Sequence, residues 1–247
     1  MISLISLLSF TAAVASTTLA AASPSKNFPA HLQHQRDNSN SNSNAGGPPD
    51  PVRQLLYMAP DSNTCDGATY PNECAVSSLP VVQALVDGFA EYNVTTAPEQ
   101  AALLSWMVYE SGQFKYNRNH FPAPGRPGQG TRSMMSPTFV QQYANSIPEL
   151  QAKVAAIAPP PAAGTSLTGA QADQVLALVQ PDKYSFAAAA WYYGTHCTDA
   201  QKKLVRQGGQ KNWEDAFITG CVQTTVDDDR IAYWKKACQA LGVTVKP

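Results

Sequence analysis

Apolar and polar positions along this chain alternate with the period of a helix. Around residues 96–112, Leu103, Met107 and Phe114 recur at spacings of three and four, and the acidic residue sharing their face is Glu110. Thr96 followed by Glu99 has the spacing of a capping box that starts this helix, and Gly112 stops it. The same pattern predicts a helix over 78–92, with Val81, Val82, Leu85 and Phe89 on one side, and another over 139–144. A helix over 147–158 should end at Pro159-Pro160-Pro161. The next starts at Ser166 or Thr168, turns Val175, Leu176 and Leu178 inward, and is closed by Pro181. The small residues 187–190 lead into Trp191-Tyr192-Tyr193, helices over 198–205 and 213–221 flank Gly208-Gly209, and Ile231, Trp234 and Cys238 face inward on a last helix over 231–241. Strand signals are sparse, so the expected class is mainly α.

Residues 1–22 are apolar, end in small residues and carry no charged side chain, which predicts a secretory signal peptide cleaved after Ala15, Ala20 or Ala22. Residues 23–52 are rich in Ser, Asn, Gly and Pro and bury too little apolar surface to offset ordering, so they form a disordered low-complexity arm. Residues 53–247 make one α-helical domain. No later apolar run reaches membrane length, so a soluble, extracellular monomer without a membrane partner is expected.

Composition narrows the partners further. With a net charge of −1 and 14% charged residues, nothing suggests nucleic acid. Five cysteines behind a secretory leader imply disulfides. Cys65 and Cys74 bracket a turn-rich loop and are expected to pair. Cys197 pairs with Cys221 or with Cys238; the first choice ties the Trp191 helix to the following hairpin and leaves Cys238 a buried thiol. Asn93-Val94-Thr95 is a glycosylation sequon in an exposed connection.

A carboxyl at Glu110, held against Trp, Met and Leu, loses solvation of its charged form and can keep a proton for general acid catalysis. The plain alternative is a Glu that turns to solvent or bonds a loop amide. From residue 111 to 148 there is no Asp or Glu, while Lys115, Arg118, His120, Arg126 and Arg132 are present. A two-carboxylate glycosidase needs a second acid, and that region has none; Asp182 or Asp199 would have to fold back to supply it. Arg126 and Arg132 can grip an anionic sugar, or simply keep a loop solvated. Asn117 and Asn119 can orient sugar hydroxyls or serve turn geometry. Asp227, Asp228 and Asp229 fit a helix N-terminus better than a calcium loop. His196 and Cys197 are neighbours in sequence and make no nucleophile pair.

Glu110-Ser111 closing an apolar helix, the Gly-rich run 125–130, the Met134-Met135-Ser136-Pro137 turn, a helix ending in Tyr143-Ala144 and the run 187–194 follow one another in order. Across residues 96–194 this order resembles the lysozyme-like superfamily, closest to the soluble lytic transglycosylase and goose-type lysozyme group. The resemblance implies a lysozyme-like helical domain and a glycoside hydrolase or lytic transglycosylase. In it Glu110 serves as acid and then base on a β-1,4-linked amino-sugar polymer, peptidoglycan first and chitin second. It also implies substrate contacts from Ser111, Met134 and Tyr192, the last free to stack on a sugar ring, and no metal or organic cofactor. Two positions depart from the family: Met135 stands where its Gln falls, and Tyr192 replaces the Asn of its Ala-rich motif. These departures support a rival, a non-catalytic carbohydrate-binding or interaction protein that keeps the fold. Residues 66–74 also resemble the Asp-Gly-x-Thr-Tyr-x-Asn-x-Cys stretch of Kazal protease inhibitors, but the other cysteines of that scaffold are missing, so an inhibitor role is not expected.

Overall fold

A computed structural model describes residues 50–158 and 167–245; the expected signal peptide, nearly all of the low-complexity arm and the Pro159-Pro160-Pro161 stop lie outside them. The described chain is mainly helical. It contains no strand, only isolated bridges joining Arg118 to Gly130 and Gly130 to Met135. Helix α1, Pro51–Met58, starts on Asp50, whose carboxylate accepts the Val52 N–H at 2.9 Å. Pro at the first helical position suits that start. The first described helix therefore starts ahead of the expected boundary at residue 53.

Helix α2 is Leu79–Glu91 and α3 is Ala97–Glu110. The capping box is formed: Glu99 Oε2 accepts the Thr96 N–H at 3.2 Å, and Thr96 Oγ1 accepts the Glu99 N–H. The Glu99 side chain is also fully buried, and its other oxygen takes Tyr193 OH at 2.9 Å and Arg206 Nε at 2.8 Å. A buried carboxylate satisfied this way anchors the helix start to two distant segments. Every residue from Glu99 to Val108 is buried. Helix α3 is thus enclosed all round rather than along one stripe.

After a loop over 111–136 come α4, Pro137–Ser146, and α5, Pro148–Ile157. Ile147, at φ −92° and ψ 111°, is extended because Pro148 follows it, so the helix expected over 147–158 starts one residue later. Helix α6, Gly169–Val179, opens on a capping box between Thr168 and Gln171, and the short α7, Asp182–Ser185, follows Pro181. Helix α8 is Ala188–His196 and α9 is Asp199–Gln207, capped by Thr198 and Gln201. The segment Trp213–Val222 is a π-helix rather than the expected α-helix. The last helix, α10, is Asp228–Ala240, capped by Asp227.

Helix α8 lies in the middle. The expectation that one of Trp191, Tyr192 and Tyr193 stays accessible is corrected: they are 4%, 6% and 1% exposed. Neighbours close on α8 from every side, with Tyr143 against Trp191, Trp106 and Phe139 against Tyr192, and Phe217 against Tyr193. Small residues permit that enclosure, since a Cβ on Gly88 of α2 would sit 2.7 Å from Ala187 Cα. Burying each large apolar side chain of this core contributes roughly 1.5–3 kcal/mol.

Both expected disulfides are present, Cys65–Cys74 and Cys197–Cys221, with Cα separations of 5.9 and 5.0 Å. Cys238 is a free, buried thiol, and burial pushes its pKa up to about 12. Asn93 is exposed in the α2–α3 connection, as the sequon required. Among the described residues no helix is long and apolar enough to cross a membrane.

Candidate functional site

Glu110 ends α3 and meets the first turn of α10. Asp227 accepts the Arg230 N–H at 2.8 Å, and this cap turns the Arg230 side chain toward α3. Arg230 Nη2 then donates to Glu110 Oε1 at 2.7 Å, and its guanidinium lies 3.9 Å above the Tyr109 ring. Tyr109 OH completes the cluster by donating to Asp227 Oδ2 at 3.0 Å. Burial raises the Glu110 pKa, Arg230 pulls it down, and the net direction is upward. The inward placement and raised pKa agree with the sequence. What differs is the occupant of the carboxyl: it accepts from an arginine nine-tenths buried, and only 20% of the Glu110 side chain is exposed.

The expected substrate contacts do not gather around Glu110. Ser111 is fully buried; its hydroxyl donates to Met107 O at 2.6 Å and accepts the Phe114 N–H at 2.9 Å, which closes the end of α3. Arg132, expected to grip substrate, is 1% exposed. Its Nη1 donates to the carbonyls of Phe114 and Tyr116, its Nη2 to Asp182 at 3.2 Å, and Phe186 lies beneath the guanidinium. It holds the loop closed from inside. Asn117 is buried and accepts from Gln180 Nε2 at 2.7 Å, while Asn119 Oδ1 accepts the Arg126 N–H at 2.9 Å. Both serve loop geometry. Met134 takes a left-handed backbone, φ 46°, and its carbonyl accepts from Gln129. Tyr192 OH donates to Cys221 O at 3.1 Å inside the core, so it cannot stack on a sugar. Arg126 alone of this set is exposed. Asp182 pairs with Arg132 and Asp199 with Lys202, so neither supplies the missing second acid. The carboxylate near Glu110 is Asp227, read from sequence only as a helix cap.

A second group of rings lies on the surface where the stapled Cys65–Cys74 loop meets the loop after α3. Tyr70 stacks on His120 at 3.6 Å with the planes 4° apart, and Tyr116 stands edge-on to Tyr70 at 6.1 Å. Phe121 packs edge-on to Tyr116 at 6.4 Å and is 71% exposed. His120 Nε2 pairs with Glu73 Oε1 at 2.9 Å, which fixes the imidazole plane under Tyr70. The sequence marks His120 only as a basic residue and Tyr70 only as part of the turn-rich 66–74 loop. The four rings come from two separated stretches, and nothing periodic links them.

No family model and no solved structure matches the chain. Among curated proteins, a bifunctional dioxygenase–epoxy alcohol synthase of Fusarium oxysporum (strain Fo5176) is 35% identical over 162 residues, a stretch that is 64% of this chain. The chain spans only 12% of that relative's length. The expectation of a glycoside hydrolase or lytic transglycosylase is overturned by this match: the relative is named a dioxygenase and epoxy alcohol synthase, not a glycoside hydrolase. The geometry agrees with the correction, because the residue assigned as proton donor is held by Arg230.

Proposed function

We propose that this chain is a secreted, non-catalytic carbohydrate-binding protein on a lysozyme-like helical scaffold, with an amino-sugar polymer, peptidoglycan or chitin, as its partner. One observation carries the reading: the Glu110 carboxyl is committed to Arg230, itself fixed by Asp227 and Tyr109. A scaffold that keeps its acid at the end of the enclosed helix α3 but engages it internally supports binding over turnover. The order of capped helix, glycine-rich loop, Met turn and Ala-rich central helix supports the scaffold, and the two disulfides support an oxidising, extracellular setting. This chain spans 12% of the Fusarium oxysporum relative, so the activities in that relative's name are not carried over to it.

The test is cosedimentation of the protein with insoluble chitin and with peptidoglycan, coupled to mass spectrometry of the released sugars. The expected outcome is retention on at least one polymer with no sugar released, and equal retention of Glu110→Gln. Sugar products that disappear in Glu110→Gln would overturn the non-catalytic reading, and absence of retention on both polymers would overturn binding.

A further inference from the structure

We propose that the polymer docks on the surface ring cluster of Tyr70, His120, Tyr116 and Phe121, and that it is the uncharged amino-sugar polymer, chitin; this rests on the carbohydrate-binding reading. A pyranose ring presents a face of C–H groups edged by hydroxyls, so it is recognised by exposed aromatic rings with polar edges. The cluster supplies both. Phe121 is 71% and Tyr70 38% exposed, while Tyr116 and Tyr70 carry hydroxyls at their rims. Few side chains of that size and apolarity are as open as Phe121, and an exposed ring of this kind marks a contact surface.

The rings are also held in place before any ligand arrives. The Cys65–Cys74 bridge staples the loop bearing Tyr70, and the Ala75 N–H donates to Phe114 O at 2.9 Å, joining that loop to the segment bearing Tyr116. His120 is fixed by Glu73 at its edge and by Tyr70 across its face. Rigid aromatic anchors lose little conformational entropy on binding.

Charge separates the two polymers. An anionic polymer needs cations free to meet it, and most of those around the cluster are engaged within the fold. Arg118 pairs with Asp173 at 2.8 Å, Arg132 is buried on Asp182, Lys115 Nζ donates to Thr64 O, and His120 sits on Glu73. Arg126 stays exposed on the same loop, but a single cation beside rings, hydroxyls and amides matches an uncharged, acetamido-bearing chain better than a polyanion.

The experiment is retention of the full chain on chitin beads and on peptidoglycan, for wild type, Phe121→Ala, Phe121→Trp, Tyr70→Ala and Leu79→Ala. Circular dichroism and thermal melts check that each variant is folded. Leu79 is 69% exposed on α2 and serves as the control for loss of surface apolarity. Expected are chitin retention by wild type, roughly tenfold weaker binding for Phe121→Ala and Tyr70→Ala, recovery in Phe121→Trp, and no change in Leu79→Ala. If wild type binds chitin and both ring variants bind equally well, the docking site is wrong while the binding reading stands. Ring-dependent retention on peptidoglycan alone would overturn the choice of an uncharged polymer. Failure of wild type on both polymers removes the binding reading and the site together.

Discussion

His196 shows at the scale of one residue how this fold uses aromatic enclosure. Its ring lies 4.7 Å from Phe139, 5.1 Å from Trp191 and 4.9 Å from Tyr192, and Nε2 is buried without a hydrogen-bond partner. Burial lowers its pKa, so the folded state resists protonation. The unfolded chain takes up a proton near the ordinary histidine value of about 6.5. Stability from the neutral ring is therefore present above that value and lost as pH falls from there toward the lower folded pKa. Urea midpoints between pH 7.5 and 5 should decline, and His196→Phe should flatten the decline; an equal slope in the variant would sink the assignment. Arg132 teaches a related lesson. A lone arginine in a glycine-rich loop reads from sequence as a surface cation, because nothing local announces that the carbonyls of Phe114 and Tyr116 will converge on it.

Among the elements, the capped ones were the most legible. Thr96 with Glu99 placed the start of α3 correctly, because a capping box is a local arrangement that the sequence spells out. Of the two starts the sequence leaves open for α6, Ser166 and Thr168, the cap is Thr168. The misreadings came from tertiary surroundings. Three aromatics in a row are too many for one helix face, yet residues 188–193 of α8 are all buried, and the π-helical Trp213–Val222 has no local signal that separates it from an α-helix. The contact of α2 with the start of α8 depends on a missing side chain. In Gly88→Ala the new Cβ meets Ala187 Cα at 2.7 Å and Cβ at 2.8 Å, so backbone must shift. That overpacking should cost about 1–3 kcal/mol despite alanine's better helix propensity, read as a lowered urea midpoint. A variant as stable as wild type would mean that the two helices can separate without loss.

For the whole molecule, the bridge between Cys197 and Cys221 spans 24 residues and ties the central helix α8 to the π-helical segment. Its removal in the double Ser variant should lower stability by about 3 kcal/mol in chemical denaturation. Loss of the Cys65–Cys74 bridge should act more locally, loosening Tyr70 before it affects the core. This division explains why the pairing was readable and the candidate site was not. Cysteine spacing is local information, whereas Glu110 and Arg230 are 120 residues apart and meet only when α10 folds against α3.

Helices α1 and α10 lie side by side: Gln54 Nε2 donates to Ala240 O at 2.7 Å, and Tyr57 OH to Gln239. The first and last described helices therefore form a seam, and the path between them is nearly a closed circuit. Because the first and last described helices meet at one seam, joining the described span into a surface loop of a larger polypeptide would leave the host's two flanks close together.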